Sequence, residues 1–156
     1  MTLQAITAAL DAEVSTLRHF IDTLHREQSL LKAGETEALT SLVEIKTRLG
    51  NQLAELSGQR EKSLAALGFP PGKTGMEQML SQFGSAYSLQ CWNELLRLAG
   101  EARELNLLNG KLIGLLMQHN QSALMALTVA SDRAMTYYGP DGQQRTGVSG
   151  RMLGSA

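Results

Sequence analysis

Leucine recurs at every seventh position through Leu3, Leu10, Leu17, Leu24 and Leu31, with neither glycine nor proline between them. Ile6, Val14, Phe20 and Ile21 fill the intermediate steps. A seven-residue apolar repeat is the signature of a helix that packs side by side with another along a shallow supercoil. The spacing predicts a helix over 3–32, a rod of about 45 Å at 1.5 Å per residue. Such a rod cannot bury its leucines alone, so it needs a partner helix, from the same chain or from a second copy. Gln28 breaks the apolar line near its end, and Gly34 marks the turn that follows.

A second helix is predicted over 36–67. Its apolar line is Leu39, Leu42, Val43, Leu49, Leu53, Leu56, Leu64 and Leu67. Lys46 and Arg60 interrupt that line; long basic side chains can lie along a seam with their heads in water. Gly50 and Gly58 cost about 1 kcal/mol each relative to alanine and suggest a bend. The helix stops at Gly68-Phe69-Pro70-Pro71-Gly72. With so short a turn at Gly34, the first two helices are expected to be antiparallel neighbours. After a loop over 69–75, Met76, Met79, Leu80 and Phe83 give a short amphipathic helix over 76–83, closed by Gly84-Ser85.

The last helix is predicted over 87–135. Leu95, Leu98, Ala102, Leu105, Leu108, Leu112, Leu115 and Leu116 form an apolar stripe in steps of mostly three and four, continued by Ala123, Ala126, Leu127 and Ala130. Gly110 and Gly114, four apart, allow a close helix contact or a kink, and the sequence leaves both open. The pattern ends at Tyr137-Tyr138-Gly139-Pro140-Asp141-Gly142-Gln143, where proline and glycine cannot continue a helix. The expected fold is all-α: long antiparallel helices forming an elongated helical hairpin or three-helix bundle. One helical domain is expected over 1–138, with a flexible tail over 139–156.

Composition narrows the function. Hydrophobic residues make up 43% of the chain but aromatic ones only 4%, so the core is expected to be thin and leucine-based. Fourteen basic and fifteen acidic residues give a net charge of −1 and no general field for nucleic acid. No apolar run approaches the roughly 20 residues that span a bilayer, so no membrane insertion is expected. The N-terminus lacks a basic start followed by an apolar block, and no secretion signal is read there. A lone Cys91 excludes an internal disulfide and a cysteine-based zinc site. Together these point to a cytoplasmic protein.

Candidate chemistry is sparse. A di-iron bundle needs Glu-x-x-His pairs on two helices; only Asp22-x-x-His25, preceded by His19, comes near, and Leu116 stands three residues before His119. Cys91 as a nucleophile lacks a local base and reads as a small packing residue beside Trp92. Gly72-Lys73-Thr74-Gly75 lacks the spaced upstream glycine and the preceding strand of a phosphate loop, and reads as a hydrophilic turn. No catalytic residue, metal or cofactor is assigned, and no enzyme is expected.

Three sets of residues suit binding instead. Asn106, Asn109 and Asn120 lie on or beside the apolar stripe. They are either seam-flanking residues that reach water or buried asparagines that fix register. Met117, Met125 and Met135, with Leu124, Leu127 and Val129, either fill a core or form an adaptable groove, because methionine repacks readily against varied apolar partners. If the first two helices run out before this part, its face is left for an incoming amphipathic helix. Tyr137 and Tyr138 precede a turn and face different directions, which leaves at least one ring as a contact residue or simply ends the helix.

Three strings in order then suggest a family. Arg60-Glu61-Lys62-Ser63-Leu64-Ala65-Ala66-Leu67-Gly68-Phe69, Glu104-Leu105-Asn106-x-x-Asn109-Gly110-x-Leu112-Ile113 and Tyr138-Gly139-Pro140-Asp141-Gly142-Gln143 together resemble the FlgN-type flagellar export chaperones. The resemblance implies a small cytoplasmic helical protein that binds hook–filament junction (hook-associated) proteins, through their C-terminal helix, before type III export. It implies delivery of that client to the flagellar export gate. The client-binding residues would be Met117, Leu124, Met125, Leu127 and Met135, and the gate-docking tyrosine Tyr138, with Tyr137 as the neighbouring ring. A monomer or weak homodimer is expected. The alternative is a self-associating coiled-coil scaffold without a client, built on the leucine heptad.

Overall fold

The computed structural model describes the backbone of residues 3–137 and the side chains of residues 3–130. Four helices follow one another: α1 (Leu3–Ala33), α2 (Thr36–Ala66), α3 (Gly72–Phe83) and α4 (Ala86–Tyr137). No strand occurs among the described residues. The chain divides into two units, Met1–Gly114 and Leu115–Ala156. The helical run of α4 is unbroken at Gly110 and Gly114.

In the first unit, α1 and α2 end in the same way. The Gly34 N–H donates to Leu31 O and the Glu35 N–H to Leu30 O. The Gly68 N–H likewise donates to Ala65 O and the Phe69 N–H to Leu64 O. Each pair closes a helix through a glycine in the left-handed region, φ +72° at Gly34 and +83° at Gly68, a backbone conformation that is strained for residues with a side chain. The two-residue link at Gly34-Glu35 then folds α2 back along α1.

The heptad of α1 faces inward. Leu10, Leu17, Leu24 and Leu31 are buried, along with Ile6, Val14 and Ile21, while Leu3 at the helix start is partly exposed. Leu42, Leu49 and Leu64 of α2 are buried as well. Burying a leucine contributes about 1.5–3 kcal/mol, yet leucines alone fix register poorly, since a slip of seven residues, two turns, replaces one with another. Charges fix it here. Arg60 Nε donates to Glu13 Oε1 at 2.7 Å, and Lys46 Nζ to Glu27 Oε2 at 3.2 Å. Positions 13 and 27 are fourteen apart on α1, and positions 60 and 46 are fourteen apart in the opposite direction on α2. Two heptads of advance on one helix therefore match two heptads of retreat on the other, as antiparallel packing requires.

The head of Arg60 does not lie in water, as its place on the seam suggested; its side chain is only 8% exposed. Besides Glu13, it donates to Glu61 Oε1 at 2.8 Å and Ser57 Oγ at 3.2 Å, and it lies 5.4 Å from the centre of the Trp92 ring. The reason is that Glu13 is itself buried on α1, and a buried carboxylate needs a charged partner.

Gly72-Lys73-Thr74-Gly75 is the first turn of α3 rather than a free hydrophilic turn. Glu61 Oε2 accepts the Gly72 N–H at 2.9 Å. It satisfies one of the unpaired donors of the helix start and sets a negative charge at the positive end of the dipole. Gly75 has no room for a side chain: a Cβ there would lie 1.6 Å from Pro70 O.

The early turns of α4 run in the same direction as α1. Tyr87 Oη donates to Asp11 Oδ1 at 2.7 Å, Arg18 pairs with Glu94 at 3.3 Å, and His25 faces Glu101 at 3.9 Å. Each contact advances seven residues on both helices. The buried line of α4 passes through Ser88, Leu95, Ala102 and Asn109, again seven apart. The expected stripe differs beyond Ala102. Leu108 is exposed and its neighbour Asn109 is fully buried, because strict heptad spacing from Leu95 lands on 109. Leu105, Leu112 and Leu116 are half-buried, and Leu115 is exposed.

Candidate partner-binding surface

Within the second unit, every side chain from Leu115 to Ala130 is exposed except that of Leu116. Helical spacing arranges the large apolar ones. Met117, Leu124 and Leu127 are seven and three apart, which places them on one face. Met125 and Val129, four apart, lie on the adjoining face. Met117, Leu124, Met125 and Leu127 are 59%, 63%, 70% and 67% exposed. Single exposed leucines are ordinary, but a contiguous apolar surface marks an interaction site. The unbranched, polarisable thioethers of Met117 and Met125 let such a surface adapt to its partner.

The backbone carries this face simply. The segment lacks proline, and Thr128 Oγ1 bonds back to Leu124 O at 2.9 Å, which satisfies its hydroxyl locally. A Cβ added to Gly110 or Gly114 would meet no atom within 4 Å. Met135 and Tyr137 fall on the last turns of α4, beyond the described side chains, and Tyr138 lies outside the described residues. Asn106 and Asn120 are exposed.

Asn109 is different. Its Nδ2 donates to Leu24 O at 2.9 Å and to Glu27 Oε2 at 2.8 Å, fully shielded from water. It thereby joins α4 to the Glu27–Lys46 pair that ties α1 to α2. Sequence reading missed Glu13 and Glu27 as members of this framework. Their signal was present: two acids fourteen apart on one helix, and two interrupting bases fourteen apart on the next.

Burial holds the Glu13 carboxyl above the usual range, against the opposing pull of Arg60. At the surface the reverse occurs. Hydrogen bonds from Arg97, and then from Arg18, hold Glu94 down at about 2. The bond to Asp11, followed by one involving Cys91, pushes the Tyr87 phenol up to about 12. Cys91 is buried in the core cluster with Trp92. Among the described residues, no group of three or more His, Cys, Asp or Glu side chains is placed to hold a metal ion. No helix among them is long and apolar enough to cross a membrane.

The family described as "FlgN protein" matches residues 1–146. A relative from Proteus mirabilis, the flagella synthesis protein FlgN, is 29% identical over 160 residues, covering 97% of this chain and 98% of that protein. No solved structure matches the chain.

Proposed function

The chain belongs to the FlgN protein family, and from that premise we propose that it acts in flagellum biogenesis as an export chaperone rather than an enzyme. Its client is a hook–filament junction protein, held in the cytoplasm before type III export. The C-terminal helix of that client lies against the face of Met117, Leu124 and Leu127, with Met125 at its flank and Met135 extending the line. Covering the client's assembly helix keeps it from polymerising early. Tyr138, beside Tyr137, presents the complex to the export gate, and no cofactor takes part. The protein works as a monomer or weak homodimer.

One observation carries the reading: the large apolar side chains of 115–130 stand exposed along a helix. A helix-in-groove or helix-on-helix contact would desolvate them at about 25 cal/mol per Å². The scaffold alternative has less support, since Leu10, Leu17, Leu24 and Leu31 are already buried within a single chain and leave no leucine seam for a second one.

Titration calorimetry with a purified junction protein tests the proposal. A 1:1 complex is expected, lost in Leu124→Glu, a variant whose melting midpoint should stay unchanged. Absence of any complex with the wild-type chain would overturn it. Tyr138→Ala should keep client affinity and weaken capture by the purified cytoplasmic domain of the gate; equal loss of both would refute the division of roles.

A further inference from the structure

The chain segregates its sulfur. Of its seven methionines, Met76, Met79, Met117 and Met125 have described side chains. Met76 and Met79 are sealed in the core of the first unit with Leu64 and Trp92. Met117 and Met125 stand on the apolar surface of the second unit, each more than half exposed. Cys91, the single cysteine, is buried, so no thiol competes at the surface for an oxidant. Among the described residues, the sulfur atoms open to a dissolved oxidant are therefore those of the face at 115–130.

The surroundings of these two sulfurs sharpen the effect of oxidising them. From Leu112 to Ser131 the chain has no aspartate, glutamate, lysine or arginine. The large exposed apolar side chains beside Met117 and Met125 are Leu115, Leu124, Leu127 and Val129. Such a surface holds a partner by apolar burial, with no charge pair to offset its loss. A sulfoxide is polar and a strong acceptor, and burying it against an apolar partner strands its oxygen.

We infer that Met117 and Met125 are oxidation sites through which a peroxide turns the client face off; this rests on the reading of 115–130 as the client-binding face. The thioether sulfur attacks one oxygen of hydrogen peroxide. An S–O bond forms, the O–O bond breaks, and the second oxygen leaves as water with both protons. Sulfur gives up two electrons and the peroxide takes them. Two thiols reverse the step: they form a disulfide while the sulfoxide oxygen leaves as water, the reaction that methionine sulfoxide reductases catalyse. The packing that hides Met76 and Met79 spares the core, so the modified chain keeps its fold and loses its hold on the partner.

The test begins with the full chain, partly oxidised by hydrogen peroxide. Peptide mapping by mass spectrometry should find the added oxygen at Met117 and Met125 and none at Met76 and Met79, and the unfolding midpoint should not move. The mixture then passes over an immobilised junction protein. Molecules that flow through should be enriched in sulfoxide at 117 and 125 and retained ones depleted of it, with affinity lowered about tenfold by a sulfoxide stranded at the contact. Treatment with a methionine sulfoxide reductase and a dithiol should return the flow-through molecules to the retained fraction. Sulfoxide spread evenly between the two fractions overturns the inference alone, as does oxidation of Met76 and Met79 at the same rate. An untreated chain that is not captured overturns the client reading itself, and the inference with it.

Discussion

Leu24 and Leu124 are the same residue type on α-helices of one chain, yet the first is fully buried and the second is 63% exposed. Leu24 belongs to a heptad whose neighbours are matched from two other helices, and its carbonyl even receives the amide of Asn109. Leu124 stands exposed beside Met117, Met125 and Leu127 of its own helix. The contrast shows that apolar periodicity reports an intention to pack, not the identity of what packs. In residues 3–109 the chain supplies the partner. In 115–130 the large side chains are equally apolar and stand exposed.

The largest effect expected on that contrast comes from Glu13. Glu13→Ala leaves the buried Arg60 guanidinium with the half-exposed Glu61 as its remaining carboxylate and should cost up to about 3–5 kcal/mol in denaturant unfolding. The double replacement Glu13→Leu with Arg60→Met should recover most of the loss, since it leaves no charge uncompensated. If the single change were neutral, the first unit would not depend on its buried pairs. Leu24→Ala comes next, at about 2–5 kcal/mol for a fully buried leucine. A smaller change of opposite sign is expected from Gly110→Ala. An added Cβ there meets nothing within 4 Å, and alanine favours helix by about 1 kcal/mol. Loss of stability would reveal a close contact at this position.

Acid titration separates buried from exposed carboxylates. Glu94 has its folded value lowered to about 2 from 4.5. Its contribution is present above pH 4.5 and is lost as pH falls towards 2. Glu13 is raised above 4.5 by burial. Its folded state holds the proton longer, so its contribution is greatest below pH 4.5 and is lost as pH rises through the folded value. Glu94→Gln should therefore flatten the stability profile between pH 4.5 and 2, and Glu13→Gln should flatten it just above 4.5. A profile unaltered by either change would contradict these environments. The smallest effect separates the two regions most directly: Leu124→Ala should move stability by no more than about 0.5 kcal/mol. A cost matching that of Leu24→Ala would mean the apolar face is already covered.

Most of the helical framework was legible because its signals are local. Leucine spacing, Gly34, and the Gly68 to Gly72 stop place α1 and α2 to within a residue at each end. The start of α3 was not legible. It depends on the Glu61 carboxylate reaching eleven residues ahead to the Gly72 N–H, a contact set by tertiary placement. Burial of Asn109 in place of Leu108 was half legible: a buried, register-fixing asparagine stood among the open readings, while the stripe was drawn through the leucine.

Gly75 lies in the first turn of α3, yet the clearance beneath it decides where the far end of that helix stands. Pro70 O occupies the space a side chain would need, so α3 rests directly on the linker that leads into it. Phe83 sits eight residues further along the same helix, a lever arm of about 12 Å. A methyl at position 75 would lift that helix off its bearing and swing the ring at its far end. The bare α-carbon at one end of α3 is thus what aims an aromatic side chain at the other.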